Sequence, residues 1–268
     1  MEYGRDMAAA AETEQERSRR RRQRTLFDGV AQLYQATRPG YPAEIVEFLV
    51  ATAGVGPGSA VLEVGCGTGQ LTKDLARYGF DLTAIDIGPA MIAAARRHVG
   101  ESAISFQVCP FEDFASADGA FDLIVSATAF HWIDPEIRFS KPARLLRPGG
   151  WLALLAIGER YDEPLAAALR EMWVARSEDK AWSARKPPAN ADAIIGSGLF
   201  DQPVERVHQL RTTVAADTVV GLENTRATTL SWSDDARQVF TAELRSRLGS
   251  LAEVPLALHT SLTMARVR

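Results

Sequence analysis

The chain of 268 residues predicts an α/β fold built on a doubly wound, largely parallel sheet. Three observations carry this. Short apolar runs alternate with helical segments through the middle of the chain. The runs are apolar throughout rather than at every second residue. A glycine-rich turn follows the first of them. Alternation of strand and helix means parallel strands joined by helices on both faces, and strands covered on both faces read as continuous apolar runs. The expected strands are 60–64, 81–86, 103–108, 121–127 and 151–157, with helices over 69–78, 89–98 and 135–146.

The remaining elements follow in order. Residues 8–23 are rich in Ala, Glu, Gln and Arg and read as helical by propensity. A second helix covers 26–36 and is broken by "RPGYP", whose Pro42 opens the next helix through about Thr52, since a first-turn proline loses no needed hydrogen bond. "LRPGG" (Leu146 to Gly150) is a turn delivering the chain into the fifth strand. After about residue 158 the pattern changes: an amphipathic helix over 162–177 precedes the polar stretch "SEDKAWSARKPPAN". Residues 159–200 are therefore expected to form a helical cap inserted between strands. The end returns to strand 203–212, helices 215–224 and 233–248, and strand 254–267. At this length one main core is expected, giving an N-terminal arm over 1–24 and a single domain over 25–268.

Composition narrows the function classes. Hydrophobic residues make up 46% and charged residues 24%, as in ordinary globular proteins. No apolar run approaches the roughly 20 residues that span a bilayer, and the N-terminal stretch lacks the apolar core of a secretory signal; a cytoplasmic protein without a membrane partner is expected. The net charge of −4 argues against a general nucleic-acid binder. The local exception is "ERSRRRRQR" (Glu16 to Arg24), read as a solvated helical face or mobile arm, or else as an arm docking phosphate, a partner or a second copy of the chain. Cys66 and Cys109 form neither a disulfide framework nor a metal pattern and are expected to be small buried hydrophobes.

The turn in "VLEVGCGTGQ" lies where doubly wound sheets bind ligands, at the carboxyl end of the first strand. It holds no lysine followed by Ser or Thr, which excludes a triphosphate loop. Its glycines are spaced two and two, whereas the dinucleotide fingerprint needs two and then three. Glu63 sits at the strand mouth, where a carboxylate repels a pyrophosphate and suits a cationic ligand. Asp86 closes the second strand, placed to accept hydrogen bonds from ribose hydroxyls or to cap the following helix. Glu112 and Asp113 end the third strand on the same rim. A ribose, a base and an unphosphorylated cationic portion are implied, and S-adenosylmethionine fits them.

In order and spacing, "VLEVGCGTGQLT", "AIDIGPAMIAAAR", "FEDF", "FDLIVSATAFHWID" and "LLRPGGWLAL" resemble the motifs of class I S-adenosylmethionine-dependent methyltransferases. The resemblance covers roughly residues 25–157, and "FDGVAQLYQATRPGYP" is similar to the N-terminal segment of a bacterial small-molecule branch. It implies a Rossmann-like seven-stranded sheet of order 3-2-1-4-5-7-6 with the last strand antiparallel. It also implies methyl transfer to a small-molecule acceptor at N, O or C, with S-adenosylhomocysteine as product. Gly65 and Gly67 would meet the methionine part of the cofactor, Arg38 its carboxylate, and Asp86 its ribose, while Glu63 either contacts the cofactor or holds the turn through backbone amides. Ile87 and Met91 would flank the adenine, with Phe111 and Glu112 at its exocyclic edge and Ser126 nearby on the fourth strand. The third motif departs from the family: Cys109-Pro110-Phe111-Glu112 lacks the usual aspartate, so adenine recognition would rest on Glu112 and backbone groups.

His131, in "FHWID", is either a general base titrating near working pH or a packed residue shaping the pocket. Trp132, Trp173 and Trp182 are core or pocket aromatics, and Tyr34 and Tyr41 either cover the site or staple the N-terminal helices. A cyclase that retains the cofactor, a nicotinamide dehydrogenase and a cofactor-binding non-enzyme remain as alternatives, because fold alone does not settle chemistry.

Overall fold

The computed structural model describes residues 14–100, 103–176 and 190–268. In chain order the elements are α1 (Glu14–Thr25), a 3-10 turn (Asp28–Val30), α2 (Ala31–Thr37), α3 (Ala43–Ala53), β1 (Ala60–Val64), α4 (Gln70–Leu75), β2 (Asp81–Asp86), α5 (Pro89–Val99) and β3 (Ser105–Val108). Then come β4 (Phe121–Ala127), a 3-10 turn (Phe130–Trp132), α6 (Ser140–Leu145), β5 (Leu146–Tyr161), α7 (Leu165–Arg176), α8 (Asn190–Ser197), β6 (Val204–Ala215), α9 (Ala216–Asn224), α10 (Ala227–Leu230), α11 (Asp234–Leu248) and β7 (Glu253–Arg266). The strands form one seven-stranded sheet of order β3-β2-β1-β4-β5-β7-β6, with β1 to β5 parallel and β7 antiparallel to both β5 and β6.

The continuous apolar runs are explained by burial on both faces. Leu62, Val64, Ile124, Leu152 and Leu154 pack into one cluster with Leu145 of α6 and Ile194 of α8. Their neighbours Val61, Leu123, Val125, Ala153 and Leu155 pack into the opposite cluster with α3 and α4. Each side chain lies under 5% exposed, so the central strands contribute the largest share of apolar burial, roughly 1.5–3 kcal/mol per large aliphatic side chain. Free Cys66 is buried between β2 and α5, as a small hydrophobe.

Two expected boundaries move. The helix expected over 135–146 begins only at Ser140, after a turn in which Ile137 and Arg138 donate to the Asp134 carbonyl. The fifth strand, expected over 151–157, runs from Leu146 to Tyr161: Leu146 pairs with Phe121 of β4, and β7 supplies partners from Trp151 down to Tyr161 against Leu256. "LRPGG" is thus the strand's own start, beside a register shift between Phe121 and Leu123. The extension carries Glu159 and Tyr161 beyond the sheet centre on strand rather than cap. α10 has no counterpart in the expectations; its "ATTL" has weak helix propensity.

Candidate functional site

The carboxyl ends of β1, β2, β4 and β5 open into a cavity of about 360 Å³, roofed by α1, α2 and α10. A smaller cavity of about 40 Å³ adjoins the glycine turn and shares Tyr34, Arg38, Gly65, Gly67 and Thr128 with the first.

The turn is set by local hydrogen bonds. Gly65 and Cys66 N–H both donate to the Ile85 carbonyl (2.8 and 3.0 Å), tying the turn to the end of β2. Gly65 has φ +73°, and a side chain there would overlap the Ala129 methyl. Gly69 has φ +86°, and a Cβ would lie 3.2 Å from the Ala95 backbone of α5. Glycine is required at both positions by conformation and by close approach.

Asp86 bridges the turn. One carboxylate oxygen accepts from Gly67 N–H and the other from Gly88 N–H, each at 2.9 Å. Burial raises its pKa, and these backbone N–H groups work against that. A carboxylate offers about four acceptor positions, so two remain for hydroxyls in the cavity that Asp86 lines. It does not cap α5. That role belongs to Asp28, whose carboxylate accepts from Ala90 N–H (2.7 Å) and Met91 N–H (3.1 Å) and places a negative charge at the helix N-terminus.

Glu63 is 1% exposed, and its Oε2 has no hydrogen-bond partner. It does not hold the turn amides, which are committed to Ile85 and Asp86. Burial pushes its pKa up to about 8. The small cavity beside the glycine turn is lined by this carboxyl.

Ile87, Met91, Phe111 and Glu112 line the large cavity at the β2–β3 end. Glu112 Oε1 accepts from Arg24 Nη1 at 2.7 Å and from Asp134 N–H at 3.2 Å, while its buried Oε2 has no partner. Arg24 belongs to α1, whose arginine run is not a solvated face on this side. Arg17 pairs with Glu136 at 2.6 Å, and Arg20, 7% exposed, donates to the Trp132 carbonyl at 2.9 Å. The basic helix is docked on the chain's own acidic rim and closes one wall of the cavity.

Past β4, Thr128 has φ +57°, a conformation non-glycine residues seldom adopt outside functional or strained sites. Its N–H donates to the Leu155 carbonyl, and its hydroxyl shares a 3.0 Å hydrogen bond with Tyr41. His131 packs at a tilt against Trp132 (4.6 Å between rings, 44° between planes), and both line the cavity. Burial against the pocket, aided by Arg138, pushes the His131 pKa down to about 4. The ring keeps an exposed edge toward solvent at the cavity mouth. Tyr34 lies in the wall with Arg38 over its ring, 5.0 Å from the centroid.

Three expectations are corrected. Ser126 does not line either cavity: its buried hydroxyl donates to the Val64 carbonyl at 2.8 Å and stitches β4 to β1. Trp173 packs with α11 and lies outside the cavity lining, under the Arg226 guanidinium (5.4 Å to the ring). Of the described residues in 159–200, only Glu159 lines the cavity; α1, α2 and α10 cover it instead, and Trp182 lies outside the described residues. Arg24, Asp28, Thr128, Glu159, Arg226 and Thr228 went unrecognised in the sequence. Of these only Arg24 carried a signal, the arginine run.

A sheet of order 3-2-1-4-5-7-6 with an antiparallel seventh strand, and a glycine turn on its first strand, is the Rossmann-like sheet that methyltransferases of known structure share. Residues 62–154 match the family described as a methyltransferase domain. An uncharacterised methyltransferase of Mycobacterium tuberculosis is 33% identical over 129 residues, 48% of this chain and 51% of that protein. A ubiquinone biosynthesis O-methyltransferase of Xanthomonas oryzae is 39% identical over 116 residues, 42% of this chain and 47% of that protein. The chain thus spans about half the length of the curated relatives it matches. Among solved structures, a type II methyltransferase from Anaeromyxobacter dehalogenans superposes with a TM-score of 0.54 at 24% identity, covering 86% of this chain and 97% of that one. A phosphoethanolamine N-methyltransferase of Haemonchus contortus, in complex with S-adenosyl-L-methionine, gives 0.51 at 17% identity over 90% of this chain and 57% of that one. Among the described residues no helix is long and apolar enough to cross a membrane.

Proposed function

We propose that the protein transfers a methyl group from S-adenosylmethionine to a small-molecule acceptor. The observation that carries this reading is the unpartnered, buried Glu63 Oε2 beside the small cavity at the glycine turn. A buried carboxyl with an open oxygen is costly; the Thr72 hydroxyl offsets only part of the effect of burial, and a cationic group such as the cofactor's ammonium would relieve the rest. The other acceptors fit the same molecule: Asp86 keeps free positions for ribose hydroxyls, and Glu112 Oε2 is free for an exocyclic amine. Gly67, with open space where a Cβ would stand, leaves room for a ligand chain against the backbone. Arg38 lines both cavities, with its nitrogens held by Thr225 and Glu159.

When bound, the sulfonium supplies the electrophilic methyl and the driving force. The protein's part is then to align the acceptor and exclude water. The α1 and α2 roof, sealed by the Arg24–Glu112 pair, performs the exclusion. His131, with its lowered pKa, acts as a neutral polar wall rather than a strong base. Replacing His131 by Ala is expected to lower turnover less than about tenfold, below the usual general-base contribution, and to leave the pH profile of kcat/KM without a changed inflection near neutrality. Saturating S-adenosylhomocysteine should raise the melting temperature while NAD leaves it unchanged. No shift with the former ends the reading.

A further inference from the structure

The acceptor end of the cavity is built by parts of the chain far apart in sequence: the C-terminal end of β5, the residue after α2 and the α9–α10 junction. Glu159, with a side chain 3% exposed, is clamped by two arginines, Arg38 Nη1 at 3.2 Å and Arg226 Nη2 at 3.3 Å. Each arginine has a second anchor. Arg38 Nε donates to the Thr225 hydroxyl (3.1 Å) and its Nη2 to the Thr225 carbonyl (2.8 Å), so all its nitrogens are used. Arg226 Nε donates to Glu223 (2.8 Å), which is fully buried and also accepts from the Tyr161 hydroxyl (2.8 Å). The Trp173 indole lies under the Arg226 guanidinium. Arg226 Nη1 alone has no hydrogen-bond partner among the described residues, on a side chain 26% exposed in the cavity wall.

Resting on the methyltransferase reading of this cavity, we infer that Arg226 docks an anionic end of the acceptor, a carboxylate on a mostly apolar body, through its unspent Nη1. The guanidinium is fixed on two sides by carboxylates and below by an indole, so little rotamer freedom is lost when a ligand binds. The body of the acceptor would lie along Ile157, Ala227, Trp132 and Ile133. Charge sets the class further. Two guanidinium groups balance two carboxylates in this network, so the guest is held by a charge-assisted hydrogen bond rather than by a net positive field. Glu159 and Glu223 repel a dianion, which disfavours a phosphate ester in favour of a planar monoanion. Glu159 and Trp173 act as positioning residues through Arg226.

The test titrates protein saturated with S-adenosylhomocysteine with benzoate, phenylacetate and cinnamate, and with the amide of each, by calorimetry. At least one acid should bind about tenfold tighter than its amide, as expected for a charged against a neutral acceptor, and phenyl phosphate should bind more weakly than that acid. In Arg226→Met the acid should fall to within about twofold of the amide, and Arg226→Lys should keep part of the preference. S-adenosylhomocysteine affinity should persist in both variants, because Arg38 retains Glu159 and Thr225; circular dichroism melts confirm that each is folded. Equal binding of acids and amides, survival of the preference in Arg226→Met, or no acid binding to cofactor-loaded protein overturns the inference and leaves the cofactor reading standing. Failure of S-adenosylhomocysteine to bind the native protein overturns both.

Discussion

The two halves of the cavity are built in different ways. At the glycine turn, the partners are close in sequence: Gly67 and Asp86 are 19 residues apart, and Asp86 meets Gly88 across two. On the acceptor side, Arg38 meets Glu159 across 121 residues and Thr225 across 187, and Arg226 meets Glu159 across 67. A βα turn and the strand beside it assemble from local backbone geometry, so a short motif encodes them. The acceptor network exists only once β5, β7 and α9 have packed. The cofactor half also leaves polar atoms open, Glu63 Oε2 and Glu112 Oε2, whereas the acceptor half satisfies its buried charges except at one nitrogen.

This contrast can be broken in four places. The largest effect is expected at Glu63. Its folded pKa of about 8 lies above the ordinary 4.5, so the unfolded chain releases the proton first as pH rises. Stability is therefore lost between about pH 5 and 8 and levels off above, by on the order of 4 kcal/mol. Urea unfolding from pH 5 to 9 should show this slope in the unliganded protein, and Glu63→Gln should flatten it. An unchanged slope would mean that the carboxyl is not held neutral.

Glu159→Leu comes next. Removing the shared carboxylate leaves two partly buried guanidinium groups short of a partner, at about 3 kcal/mol of stability. Denaturant unfolding measures this, and a loss below 1 kcal/mol would show that the acceptor network is a loose surface cluster. Asp86→Ala should weaken S-adenosylhomocysteine binding by roughly 10²-fold, the worth of hydrogen bonds to a charged group plus a loosened turn. Retained affinity in calorimetry would detach Asp86 from the ribose.

The smallest effect belongs to Arg24→Ala. Its pair with Glu112 is partly exposed, at 18% and 23%, so about 0.5–1 kcal/mol of stability is expected, shrinking as salt is raised. A salt-independent loss would mean that α1 is held by packing of Phe27 on Trp132 rather than by its arginines.

Some of this was written locally in the chain. Continuous apolar strands, glycines spaced two and two, and acids at strand ends are readable because backbone sterics and two-faced burial act over a few residues. They yielded the sheet and the residues lining the cofactor half. Ser126 was misread because strand-end position does not reveal to which side a hydroxyl turns, and here it turns to Val64. Trp173 was misread because a composition change after residue 158 shows that the pattern alters, not where the segment packs. The extension of β5 to Tyr161 depended on β7, about a hundred residues later, offering its backbone as partner. The docking of the arginine helix likewise needed Glu112, Asp134 and Glu136 to be gathered on one rim. Charge pairing between distant segments has no sequence period, and so the acceptor end of the cavity took shape only when the whole sheet had closed.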